Sequence, residues 1–113
     1  MHEFWVTENI LDLALKEAAK AQARKITKIN LVVGELTGFV PDCIEFYFNT
    51  MSKNTIAEKA SLNFVLTPAQ LRCRDCSSIF EPKESGWQCP RCHSQSVEIT
   101  GGQNLYLSSM EVD

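Results

Sequence analysis

Four cysteines hold the clearest chemistry in this 113-residue chain: Cys73-x-x-Cys76 and Cys89-x-x-Cys92, with twelve residues between the pairs. Each Cys-x-x-Cys places two sulfurs on one tight turn, and two such turns facing one another complete a tetrahedron. That is the all-thiolate shell Zn²⁺ prefers, with no position left for substrate, so such a site is structural. The intervening residues suffice for a two-stranded ribbon. Two disulfides, or a redox dithiol at Cys89-Pro90-Arg91-Cys92, are the alternatives. A thioredoxin-type dithiol sits between a strand and a helix, whereas a polar, strand-like segment follows here. Arg72, Arg74 and Arg91 flank the ligands, where they are expected to offset the negative charge of a four-thiolate site.

Met1-His2-Glu3 is the second place where ligand types gather. A free α-amine, the His2 imidazole, a deprotonated backbone amide and the Glu3 carboxylate fall within three residues. Nitrogen and oxygen donors in a chelating plane suit Ni²⁺ or Cu²⁺, high in the Irving–Williams order. A histidine at position two is more often a solvated terminal residue, and on spacing alone both readings stand.

The elements that must carry these residues follow from periodicity. Val6, Ile10, Leu13, Ala14, Ala18 and Ala21 recur at helical spacing, which predicts an amphipathic helix from Thr7, as N-cap, to about Lys25. Ile29, Leu31 and Val33 alternate over 28–33 and predict a strand ended by Gly34. Pro41 fits the first turn of a second helix reaching about Ser52, with Val40, Cys43, Ile44, Tyr47 and Met51 on its apolar face. Cys43, the odd cysteine, is expected to be a buried, unreactive thiol there. Leu62, Phe64 and Leu66 predict another strand, and 105–112 a last one. The fold class is α+β: a small three-stranded sheet with two helices, plus an inserted four-cysteine zinc-ribbon module. The expected division is 1–69 and 101–113 for the α/β domain, with 70–100 as the inserted ribbon ended by Gly101-Gly102.

Composition removes several functions. A net charge of −3, made more negative by zinc on four thiolates, argues against nucleic acid, which calls for a basic face. No run approaches the ~18 apolar residues of a membrane span. The start lacks a basic region followed by an apolar stretch, so no secretory signal is read and the cytoplasm is expected. No nucleophile is paired with a histidine and no phosphate loop is present, so an enzyme is not expected.

Taken together, the start Met1-His2-Glu3, the run Val33-Gly34-Glu35-Leu36 ahead of Pro41, the paired Cys-x-x-Cys motifs and Ile99-Thr100-Gly101-Gly102 resemble the HypA/HybF family over essentially the whole chain. These are nickel-insertion accessory proteins of hydrogenase maturation. The resemblance implies a nickel metallochaperone that is not an enzyme, carrying Ni²⁺ as cargo on Met1 (amine), His2 and Glu3. It implies structural Zn²⁺ on Cys73, Cys76, Cys89 and Cys92. His93, which follows the last ligand, reads first as a polar ribbon residue; it also resembles a position where some members carry histidine, and that resemblance implies a transient role in nickel transfer. A HypB-type GTPase, the hydrogenase large-subunit precursor and urease maturation proteins are the implied partners, with no nucleic acid and no membrane. The competing reading is a zinc-ribbon protein-interaction adaptor without nickel binding.

Overall fold

The computed structural model describes residues 3–82 and 86–113. The chain forms two compact units, one made of residues up to Val33 with Phe39–Val65 and Leu105–Asp113, the other of Gly34–Gly38 and Leu66–Asn104. No helix among the described residues is long and apolar enough to cross a membrane.

The first unit begins with α1 (Glu3–Lys20), followed by β1 (Ile26–Gly34), α2 (Pro41–Met51), β2 (Ser61–Thr67) and β6 (Leu105–Val112). Its sheet has the order β2-β1-β6, with β6 antiparallel to β1. Two bulges set which side chains face inward. The register shifts between Ile26 and Lys28 and again between Asn30 and Leu31, so Ile26 joins Ile29 and Leu31 on the inner face despite its even position. The second irregularity leaves Ser108 as the extra residue of β6, its hydroxyl donating to the Asn30 carbonyl at 3.2 Å. It lets Leu105, Leu107 and Met110 all pack on the core. On the opposite face Asn63 donates to Asn30 and Asn30 to Ser109, beside Val32 and the exposed Val65 and Tyr106.

Fully buried Phe48 and Ile44 from α2 meet Ile10, Leu11, Ala14 and Ala18 from α1 over Ile26, Ile29 and Leu31. Each such large side chain contributes roughly 1.5–3 kcal/mol. The alanines let α1 approach closely, since a larger residue would hold the helices apart.

Three sequence expectations shift. The first helix starts at Glu3 rather than at Thr7. Thr7 is buried inside it and donates its hydroxyl to the Glu3 carbonyl one turn back, a bond open to threonine within a helix as well as at a cap. The same helix ends at Lys20, short of Lys25. Gln22 adopts a left-handed conformation with φ 56°, while Ala23 N–H bonds Ala18 O and Gln22 N–H bonds Ala19 O, both at 3.0 Å. This is a Schellman stop, hidden in the sequence because glutamine occupies the position usually held by glycine. Finally, Cys43 is exposed, not buried. The face of α2 that packs inward runs through Ile44, Phe48 and Met51, and Cys43 stands about 100° round the helix from it.

The second unit has its own sheet, β4-β3-β5, formed by Gln70–Cys73 (β3), Ile79–Phe80 (β4) and Val97–Gly101 (β5). Leu71 pairs with Phe80 on one side and Ile99 on the other. Buried Ala69, Leu71, Cys73 and Cys89 are its small core. The run Gly34-Glu35-Leu36 is built into its base. Leu36 N–H donates to Gly102 O and Gly34 N–H to Asn104 O, each at 2.8 Å. Glu35 Oε1 accepts Ala69 N–H at 3.0 Å.

Candidate metal centre

β3 ends on Cys73, and the chain turns through Arg74 and Asp75 to Cys76. Cys73 N–H donates to Ser78 O and Ser77 N–H to Cys73 O, both at 2.9 Å, with Ser77 at φ 64°. The second pair repeats this turn residue for residue: Cys89 N–H donates to Ser94 O and His93 N–H to Cys89 O, again at 2.9 Å, with His93 at φ 65°. In each turn the second cysteine's N–H points at the first cysteine's sulfur, 3.5 Å away.

The two turns face each other and bring all four sulfurs within 4.8 Å of one another. Cys73 Sγ lies 3.5 Å from Cys92 Sγ, and Cys76 Sγ 3.6 Å from Cys89 Sγ. A tetrahedron with metal–sulfur bonds of ~2.3 Å has edges of about 3.8 Å, so the spacing fits Zn²⁺ with little movement. All five cysteines are free thiols, and the dithiol at 89–92 has no helix after it.

Four thiols this close cannot all ionise without a cation. Cys76 gives up its proton most readily of the two strongly shifted members. The Ser78 hydroxyl, then the Ser78 N–H, stabilise its thiolate and pull it down to about 6. Cys92 also has a backbone N–H, from Ser94, but the neighbouring thiols, Cys73 first, outweigh it and push the thiol up to about 12. A divalent cation relieves this conflict, because it supplies the positive charge that four adjacent thiolates need.

The flanking arginines divide their work. Arg72 is paired with Glu98 across β3 and β5, with Nε donating to Oε1 at 2.6 Å, so its charge is answered there rather than by the sulfurs. Arg74 and Arg91 are exposed on the turns, and Arg74 N–H donates to Ser96 O at 2.9 Å.

The residues read from the sequence as ligands fare differently. The four cysteines are brought together. His93 is exposed at the tip of the second turn, where its carbonyl accepts the Gln88 side-chain amide at 2.8 Å, and the gathered ligand atoms are the four sulfurs. Met1 and His2 lie outside the described residues. Glu3 is 4% exposed at the start of α1. Its Oε2 accepts the N–H of Val40, the N-cap of α2, at 3.2 Å. Hydrogen bonds from its own N–H, then from Val40, hold its carboxyl below the usual range.

Sequence reasoning passed over Asp75, Ser78 and Ser94, the side chains beside the sulfurs. The only sequence signal for them is their equivalent offsets, Ser78 and Ser94 each standing two residues after a ligand.

Comparison with known proteins extends the geometry. The family model for hydrogenase/urease nickel incorporation, the metallochaperone HypA, matches residues 1–112. The hydrogenase maturation factor HypA of Caldanaerobacter subterraneus is 40% identical over the whole of both chains, and that of Aquifex aeolicus is 34% identical over 100% of this chain and 98% of its own. Among solved structures, the solution structure of the Ni metallochaperone HypA from Helicobacter pylori matches with a TM-score of 0.70 and 32% identity, covering 99% of this chain and 97% of that one. A second HypA solution structure matches with a TM-score of 0.77 at the same identity, over 99% and 96%.

Proposed function

The chain belongs to the HypA family of hydrogenase/urease nickel metallochaperones, and on that basis we propose a division of labour between its two metal sites. Ni²⁺, the cargo, is held by the Met1 amine, the His2 imidazole and Glu3. Zn²⁺ is the resident metal of Cys73, Cys76, Cys89 and Cys92, where it offsets half of the thiolate charge and supplies folding energy to a unit with little apolar core. The observation that carries the zinc assignment is the convergence of the four sulfurs within 4.8 Å on two like turns.

On this reading the protein performs no catalysis of its own. It receives nickel in the cytoplasm and hands it on, with a HypB-type GTPase supplying the energy, to the hydrogenase large-subunit precursor and, where urease is made, to its maturation proteins. The Glu3 carboxylate is engaged by Val40 N–H, which favours Glu3 anchoring the start of α1 while its backbone faces the cargo. His93 stands on the exposed tip of a turn, a placement suited to transient contact with nickel in transit.

The test is nickel binding by untagged protein with a free N-terminus. Calorimetry should show one Ni²⁺ site that His2→Ala abolishes, with zinc content unchanged. Retention of that site in His2→Ala would refute the N-terminal assignment, whereas uptake of zinc alone by the unaltered protein would favour the adaptor reading.

A further inference from the structure

We propose that the cysteine centre has a built-in point of opening at Cys92, and that Asp75 sets it by holding the Ser94 hydroxyl away from that sulfur. The proposal rests on the reading that zinc occupies this centre.

The argument comes from a broken symmetry. The two turns match in every backbone hydrogen bond given above, so the outer cysteines, Cys76 and Cys92, occupy equivalent places. In each, the backbone N–H of the serine two residues on serves the sulfur. The serine hydroxyls then part company. Ser78 Oγ lies 3.2 Å from Cys76 Sγ, where it accepts from the thiol and turns to donate once the sulfur is a metal-bound thiolate. Ser94 Oγ donates instead to Asp75 Oδ2, from the opposite turn, and accepts Ser96 N–H at 3.0 Å. With both its donor and its acceptor used, the Ser94 hydroxyl is fixed in that orientation and withheld from Cys92.

Exposure reinforces the difference. Cys73 and Cys89 are buried and Cys76 is half-buried, while Cys92 is exposed. Of four metal-bound thiolates, Cys92 therefore has the least hydrogen bonding among the outer pair and the freest access to solvent. A thiolate in that position is the most nucleophilic and the easiest to alkylate or displace. Ligand exchange begins there, and the remaining three sulfurs keep hold of the metal and of the ribbon. Asp75 is thus a positioning residue: it acts through Ser94, as outer-shell groups commonly tune metal ligands.

The experiment follows alkylation of the zinc-loaded full chain by limiting N-ethylmaleimide, with modified peptides mapped by mass spectrometry and released zinc read by a chromogenic chelator. Cys43, exposed on α2 and outside the centre, is the internal reference. Zinc content is measured first. One zinc per chain with Cys92 modified ahead of the other ligands is the expected result. One zinc with Cys73, Cys76 or Cys89 modified first overturns this proposal alone, whereas a chain that takes up no zinc overturns the zinc reading beneath it.

Asp75→Ala frees Ser94 to turn toward Cys92. It should slow alkylation there by about fivefold, the factor one added hydrogen bond supplies, and adding Ser94→Ala should restore the original rate. Faster modification at all four ligands in Asp75→Ala would show a merely structural role and refute the proposal. Two single variants keep the test independent of how Asp75→Ala folds. Ser94→Ala should leave the Cys92 rate unchanged, and Ser78→Ala should raise that of Cys76. A rise at Cys92 in Ser94→Ala would mean that its hydroxyl serves Cys92 after all.

Discussion

Substituting alanine for glycine at three positions of the second unit separates backbone strain from close approach. Gly38 has φ 74° and open space around the position a Cβ would take. Gly38→Ala should therefore lose only the left-handed preference, about 1 kcal/mol. Gly102 has φ 86°, and its Cβ would lie 2.8 Å from both Ala69 Cα and Pro68 O. Strain and backbone overlap add there, for a loss of roughly 2–4 kcal/mol. Gly34 is the instructive case, because its φ of −75° suits any residue. Its Cβ would nonetheless stand 2.3 Å from Gly102 O and 2.4 Å from Gly102 C. Relief requires the two backbone segments to part by about 1 Å, which breaks the bonds from Gly34 N–H to Asn104 O and from Leu36 N–H to Gly102 O. At about 1 kcal/mol for each bond plus the lost packing, Gly34→Ala should be destabilising by roughly 3–5 kcal/mol. Native-state amide exchange on the zinc-loaded protein reads the opening free energy at Leu71 and Ile99. The expected order of loss is Gly34→Ala, then Gly102→Ala, then Gly38→Ala. If Gly34→Ala proves no worse than Gly38→Ala, the close approach does not hold this unit together.

Cys76→Ser should unfold the second unit, seen as lost amide protection over 70–100, while the first unit keeps its protection, since zinc supplies on the order of 10 kcal/mol in comparable modules. Zinc uptake at pH 7 should release protons, that of Cys92 among them because its thiol is pushed up to about 12, so the calorimetric enthalpy should vary with buffer ionisation enthalpy. Affinity should fall more steeply once pH drops below about 6, where Cys76 protonates as well. Glu3, whose carboxyl is held low in the folded chain, contributes stability above the ordinary carboxylate range that is lost as acid carries the pH below it; acid titration of Glu3→Gln should show a shallower loss in that window. Phe48→Ala, which empties a fully buried site, should lower stability by about 3–5 kcal/mol in chemical denaturation.

Local rules govern the features that could be read directly from the chain. The Cys-x-x-Cys spacing already dictates two like turns, and the structure realises both with the same hydrogen bonds. Pro41 opens α2, and the final strand spans 105–112 as expected from its pattern. Alternation in β1 revealed that Ile29, Leu31 and Val33 line the sheet, whereas the bulges near Thr27 and Ser108 stayed hidden, because a bulge reverses the alternation at one residue and leaves no compositional mark. The remaining features come from tertiary packing. The end of α1 at Lys20 depends on a left-handed glutamine, which local propensity disfavours and only the surrounding fold can hold. The exposure of Cys43 follows from the rotation of α2, fixed by Ile44 and Phe48 packing against α1 and β1. Residues 34–36 join a unit whose other main segment begins only at Leu66. Their role rests on hydrogen bonds to Ala69, Gly102 and Asn104 that no periodicity in the chain encodes. The same holds for the bond between Asp75 and Ser94, residues nineteen positions apart that meet only because the two cysteine turns face one another.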